Sequence, residues 1–336
     1  PPIMKILFVT DLHGNHSKYK KIVSLAKEHH VDIVINGGDM LPKNGDLFEQ
    51  DKFITDQLKK HFAAFDALGI HYLCYLGNDD LKTFDDLFEN TCNQFSYVRC
   101  IAQQKIEIGG FKFVGMNWVA DYPFRLKDRC RMDTRDSLFQ KQLGTALLSQ
   151  PGKWNEIEDW FAYAKTLPTI EDEMERLVRP KNMNKAIYLI HMPPAHLGLD
   201  KCAHGAEVGS QAIYNFIEKN QPLLTLHGHI HESPDVTGKW FANLGRTICT
   251  QPGQPRELSY VVIDLVPNVK HSSLKIAQQI DVCCFFTFHK WEQSPHSQCR
   301  PCYGIGLLAG WQICNTTNID LFAHIDIANQ TLKNRC

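Results

Sequence analysis

Five short apolar runs, each ending in a side chain able to do chemistry, constrain this chain more than any other feature. They are KILFVTD (5–11), DIVINGGD (32–39), HYLCYLGND (71–79), KAIYLIH (185–191) and PLLTLHGHIH (222–231). Runs of this length, bounded by turn residues, mark strands buried on both faces. Amphipathic stretches at about 17–29, 48–68 and 210–219 lie between them. The alternation predicts an α/β layered sandwich, with a central mixed β-sheet or sheets flanked by helices. In open sheets of this kind ligands bind at the carboxyl edge of the strands. Here five strands deliver Asp, Asn or His to that one edge.

The chain's 336 residues suffice for one large domain or two ordinary ones. Its 36 basic and 37 acidic side chains give a formal net charge of −1, so nucleic acid and anionic membrane are not expected partners. No run approaches the ~18–20 apolar residues of a membrane span. Cysteines Cys74, Cys92, Cys100, Cys130, Cys202 and Cys249 are singly spaced, which suits reduced thiols. With strand-like sequence from the first residues, and so no leader, a cytoplasmic protein is expected.

Residues 1–268 are expected to form the principal domain. Within it, 121–180 interrupt the alternation with two helical pieces parted at Pro168. The second is capped by Thr169 and places Ile170, Met174, Leu177 and Val178 on one face. This insertion either overhangs the site as a lid or covers a sheet edge. Beyond VVIDLVP (261–267) periodicity fades, and 269–336 read as an appendage without an assignable role. Its Cys299-Arg-Pro-Cys302 lacks a second pair, so no metal is expected there.

Taken as ligands, Asp11, His13, Asp39, Asn78, His191, His229 and His231 offer two carboxylates, one amide oxygen and four imidazoles. Such a set suits manganese, iron or zinc. Seven donors exceed what one ion needs but match two ions sharing a carboxylate. Residues i and i+2 lie on the same side of an extended strand, so Asp11-x-His13 and His229-x-His231 each aim at one place. Gly14, Gly38, Gly77 and Gly228 flank these donors, where the backbone must turn tightly or approach closely. Taken singly, Asp11 could be a turn former, Asn78 a left-handed turn residue and His191 a core histidine. His227 is expected in the core.

In this order the motifs resemble the calcineurin-like metallophosphoesterase superfamily over about residues 4–268. The stretches HMPPAHLGLD (191–200), VGSQAIYNFIEKNQPLL (208–224) and GHIHES (228–233) resemble its prokaryotic Icc-like branch. The resemblance implies two divalent ions, manganese favoured over iron or zinc. Asp11, His13 and His231 would hold one, Asn78, His191 and His229 the other, and Asp39 would bridge them. It further implies hydrolysis of a small phosphate-ester substrate, monoester or diester, with a metal-bridging hydroxide as nucleophile. Asp39, Asn78, Asp79 and His229 are then the expected catalytic residues, and Asn78 and Ser210 the expected substrate contacts.

Where the family often has His after Gly-Asn, this chain has Asp79. That histidine is usually assigned to the leaving group or the phosphate, and a carboxylate beside two cations is a poor proton donor. Gly209-Ser210 opens a helix, so its N–H groups either hold an anion or Ser210 simply caps the helix. Arg125, Arg129, Arg131 and Arg135 either reach a phosphate or form a solvated face. His196 is a candidate replacement acid. Two other functions compete. A binding scaffold, as in the retromer subunit that resembles these enzymes, would be expected to have lost ligands. A nuclease would need a basic groove. Oligomeric state is not legible in the sequence.

Overall fold

The computed structural model describes residues 3–265 and the strands Leu274–Ile280 and Ala323–His324. The two pieces of chain on either side of Ala323–His324, with Cys299 and Cys302, lie outside the described residues. The expected domain boundary near 268 also falls outside them.

The apolar runs form two sheets. In the first, Met4–Val9, Ile33–Asn36, His71–Cys74 and Val98–Cys100 run parallel in that order, with Ser259–Leu265 antiparallel along Met4–Val9. Leu274–Ile280 pairs with Ser259–Leu265, so part of the expected appendage extends this sheet. In the second, Phe111–Met116, Ala186–Ile190, Leu224–Leu226 and Thr247–Thr250 run parallel, with Lys105–Ile108 and Phe241–Leu244 antiparallel at the edges.

Side-chain alternation explains why these strands are apolar throughout. Ile6, Phe8, Ile33, Ile35 and Leu73 of the first sheet share a core with Phe113, Ile187, Leu189, Leu224 and Leu226 of the second. On the outer face of the first sheet, Leu7, Val9, Val34 and Tyr72 pack under Tyr19, Ile22, Leu25, Phe62 and Phe65. On the outer face of the second, Val114, Tyr188 and Ile190 meet Ile213, Phe216 and Ile217. The result is a four-layered sandwich, helix on sheet on sheet on helix. Phe8 is fully buried between the sheets, and truncating such a residue to Ala costs about 3–5 kcal/mol.

The expected helices form at His16–Glu28, capped by Asn15, and at Gln211–Asn220, capped by Ser210. The stretch from Gln50 to Leu68 is helical but passes through a π-helical turn at Phe53–Leu58. The two expected helical pieces of the insertion form at Trp160–Ala164 and Ile170–Arg176, on either side of Pro168. Ahead of them stand strands not expected there: Cys130–Arg131, paired with Val119–Ala120 just before the insertion, and a ribbon of Ala146–Gln150 with Lys153–Ile157. That ribbon turns at Pro151-Gly152, with Gly152 at φ 70°, a backbone glycine adopts without steric cost. Thr169 caps the last helix reciprocally with Asp172, as its spacing indicates. Among the described residues no helix is long and apolar enough to cross a membrane.

Candidate metal centre

The carboxyl ends of five parallel strands meet along one edge of the sandwich. Met4–Val9 leads into Asp11 and His13, Ile33–Asn36 into Asp39, and His71–Cys74 into Asn78. From the second sheet, Ala186–Ile190 leads into His191 and Leu224–Leu226 into His229 and His231.

Donor atoms of Asp11, His13, Asp39 and His231 lie within 4.8 Å of one another, as do those of Asp39, His191 and His229. Asp39 belongs to both groups. The Asn78 amide oxygen is 2.9 Å from His191 Nε2 and 2.7 Å from His229 Nδ1, so it joins the second. All seven expected ligands are therefore brought together, four around one position and four around another with Asp39 in common.

The spacing works by different local geometry from that expected. Asp11, His13, Asp39 and His229 lie beyond the strands in left-handed conformation, at φ 54°, 43°, 50° and 72°. Such backbone costs of order 1 kcal/mol or more for each residue and persists where the surroundings impose it. Here they do. Asp11 N donates to Gly38 O at 3.0 Å, His13 N to Asp39 O at 2.9 Å, and Gly14 N to Met40 O at 3.0 Å, which locks the first two loops together. The glycines serve close approach as well as turning. A Cβ on Gly77 would lie 2.2 Å from Asp39 Oδ1, and one on Gly228 would lie 2.6 Å from Asp11 Oδ2.

The hydrogen bonds orient the donors toward a cation. His191 Nδ1 donates to Gly37 O at 2.7 Å, which turns Nε2 toward Asp39 Oδ2 at 3.4 Å and Asn78 Oδ1 at 2.9 Å. Protonated, Nε2 donates to these oxygens; a divalent ion at this place would take the position of that proton. The Nε2 atoms of His13 and His231 approach to 3.0 Å, and buried His13 Nδ1 has no hydrogen-bond partner. Converging acceptors of this kind fit divalent ions.

Burial and mutual charge shift these groups strongly. Burial raises the Asp11 carboxyl, but His231 and His191 outweigh it and hold Asp11 at about 2. Asp39 is likewise held below the usual carboxylate range, its burial overcome by His191. Burial disfavours charge on His191, but Asp39 and Asp11 raise it to about 9. Burial lowers His13 to about 4 and His229 to about 3, the latter helped by His191.

Three residues around the cluster carry roles the motifs did not announce. Asp80 is fully buried and its carboxylate accepts from Met40 N, Leu41 N and Gly77 N at 2.8–2.9 Å, which ties the Asp39 and Asn78 loops together. Its place in Gly77-Asn78-Asp79-Asp80 was the available signal. Lys43 Nζ lies 3.3 Å from His13 Nε2 and 3.9 Å from Asp79 Oδ2, a cation at the mouth of the site that no motif marks. The ring of Tyr122, in the insertion, is 6.0 Å from that of His229.

Ser210 does not serve as expected. It is fully buried, its hydroxyl donates to Asp133 and accepts from Ile213 N at 3.0 Å, and its own N–H donates to Pro193 O. Asp133 also accepts from Gln211 N and Asp200 from Gly209 N, so the protein's own carboxylates occupy this helix start. The arginines are engaged too. Arg129 is buried, donating to Gly77 O at 2.7 Å and pairing with Asp85, and Arg131 stacks 3.8 Å over Trp118. Arg125 pairs with Glu156 and Arg135 with Asp172 on the surface. His196 bonds Gln211, and His227 is a core histidine held by Ile190 O, Met192 O and Thr225.

The family model described as calcineurin-like phosphoesterase matches residues 4–233. No curated protein sequence matches the chain. One solved structure aligns over 78% of this chain and 95% of its own at 16% identity, with a TM-score of 0.51, a likeness of fold. The protein TT1561 of Thermus thermophilus aligns over 78% and 95% at 17% identity and a TM-score of 0.49. A dimetal phosphatase from Danio rerio aligns over 83% and 96% at 9% identity and a TM-score of 0.45.

Proposed function

Because the chain belongs to the calcineurin-like phosphoesterase family, we propose that it is a dinuclear metal-dependent hydrolase of small phosphate esters. The observation that carries this is the pair of donor clusters sharing Asp39. Asp11, His13, Asp39 and His231 would hold one ion, and Asp39, Asn78, His191 and His229 the other. The mixed nitrogen and oxygen donors favour manganese, with iron and zinc as alternatives. Two such ions supply Lewis acidity, an acidified water as nucleophile and neutralisation of charge developing on the phosphoryl group.

The protein's own groups prepare that chemistry. Thr10 Oγ1 and His229 N donate to the Asp11 carboxylate at 2.8–3.1 Å, and Asp79 N donates to Asp39 Oδ1 at 2.9 Å. These bonds fix both carboxylates before any ion binds, so little is lost to ordering them. Lys43 places a positive charge where an anionic ester enters.

Asp79 sets the leaving-group preference. Burial, then the charge of Asp39, raise its carboxyl to about 7, while two cations would pull it back down. With both ions bound it would be ionised at neutral pH and donate no proton, so esters with acidic leaving groups would be the better substrates. The buried free thiols of Cys74, Cys92, Cys130 and Cys249 suit a reducing, cytoplasmic setting.

The deciding experiment loads the protein with Mn²⁺, counts ions per chain, and assays p-nitrophenyl phosphate and its bis ester. Close to two ions and hydrolysis of either ester are expected, whereas a protein that takes up no ions ends the proposal. Rates plotted against leaving-group pKa should fall more steeply for wild type than for Asp79→His. Parallel plots would remove Asp79 from the argument. Lys43→Ala should raise KM about tenfold, the worth of one charge-assisted contact, with metal content unchanged.

A further inference from the structure

Between Thr247–Thr250 and Ser259–Leu265 the chain crosses from the second sheet back to the first. On the way it passes against His231. Gly253, at φ 67°, comes so near that a Cβ there would lie 2.5 Å from His231 O. The next residue, Gln254, donates its N–H to that same oxygen at 3.0 Å. The Gln254 side chain is buried and reaches the first sheet. Its Nε2 donates to Thr10 O at 2.8 Å, immediately before Asp11, and Thr10 Oγ1 in turn donates to Asp11 Oδ2 at 2.8 Å. Its Oε1 accepts from Ser259 N at 3.1 Å and from Lys18 Nζ at 2.7 Å.

Lys18, on the helix His16–Glu28, is itself buried. Its ammonium donates to two neutral oxygens, Gln254 Oε1 and Pro255 O, each at 2.7 Å. Burying an ammonium against neutral oxygens is costly, and the result is a Gln254 amide locked in place. A group that can only donate stands on one side of that amide and a carbonyl on the other, which fixes the direction it points. A Glu at this position could not bond Thr10 O in the same way, because an ionised carboxylate has no donor.

These bonds converge on one of the two donor groups. Asp11 and His231 belong together with His13 and Asp39, yet they come from different sheets. Gln254 bonds the backbone of His231 and the backbone next to Asp11. None of these bonds of Gln254 and Lys18 goes to Asn78 or His191, which belong to the other group.

We propose that Gln254, braced by Lys18, is a positioning residue for the first donor group: it sets the separation of Asp11 and His231 across the two sheets, and so the affinity of the ion they would hold. This rests on the two-ion reading above and assigns one clasp to one ion.

The test reads each ion by itself, with Mn²⁺ titrations followed by calorimetry. His191→Ala should leave the ion of the first group, and His13→Ala that of the second. Adding Gln254→Met, which keeps the length and apolar stem but neither polar atom, should weaken Mn²⁺ about 10–100-fold in His191→Ala and by no more than about twofold in His13→Ala. Lys18→Met, which leaves Gln254 in place without its brace, should show the same one-sided loss to a smaller extent. A residue of merely structural importance would weaken both ions alike, so the difference between the two backgrounds is the readout. Equal losses in both, or none in either, with two ions still bound by wild type, overturn the clasp alone. Wild type that takes up no Mn²⁺ overturns the two-ion reading and the clasp with it.

Discussion

The two sheets contribute unequally to the centre they share. The first delivers Asp11, His13, Asp39 and Asn78, and so both carboxylates; the second delivers His191, His229 and His231, all imidazoles. The donor group of Asp11, His13, Asp39 and His231 is mostly the first sheet's. The other takes two of its four donors from the second sheet. Neither sheet alone supplies either group, so metal binding would report how the sheets pack, and loss of the inter-sheet core would dissolve the centre.

That asymmetry can be broken most drastically at the shared residue. Asp39→Asn should abolish tight binding of both ions and lower hydrolysis by about 10³-fold or more, since both clusters lose their common anion. Elemental analysis and a steady-state assay on the same sample would show this. A variant that kept two ions would mean that Asp39 does not bridge.

His13→Ala and His191→Ala should differ in which site they empty. Each is expected to retain about one ion per chain at equal free metal. A double variant that bound no less than either single one would contradict a division by sheet.

Asp80 ties the loops of both donor groups together without belonging to either. Asp80→Asn replaces an acceptor of three N–H bonds with a group half of which is a donor. Metal affinity should weaken about 10–100-fold with little change in circular dichroism. Unchanged affinity would show that the loops hold their places without it.

A separate expected effect lies far from the edge, in the helical layer over the first sheet. Burial lowers His61 to about 3, against 6.5 when unfolded. The sign follows from proton count: below pH 6.5 the unfolded chain binds a proton that the folded one refuses. Stability from this group is complete above 6.5 and falls by about 1.4 kcal/mol per pH unit as pH drops toward 3. His61→Phe should flatten the urea-denaturation stability profile over that window relative to wild type. Identical slopes would place His61 in water.

Much of the strand layer is legible because burial on both faces writes itself as continuous apolar runs. The ligands are legible because each follows such a run and the chemistry admits few residue types. Several features are not. Whether the runs share one sheet or two depends on pairings between residues distant in sequence, and Ile6 sharing a core with Ile187 leaves no local mark. The Ala146–Gln150 ribbon was obscured by the short polar strands of the insertion, where alternation is weak. Ser210 was legible as a helix start, but only tertiary packing put Asp133 where an anion could have bound.

The amino-acid sequence by itself determined which side chains end the strands and hence which donors the protein owns. It did so because strand periodicity and turn chemistry act over a few residues. Only the tertiary structure decided that Asp80 locks two loops, that Lys43 stands beside His13 and that Tyr122 stands beside His229. Those facts depend on through-space distances set by two sheets packing face to face, and no local pattern encodes them.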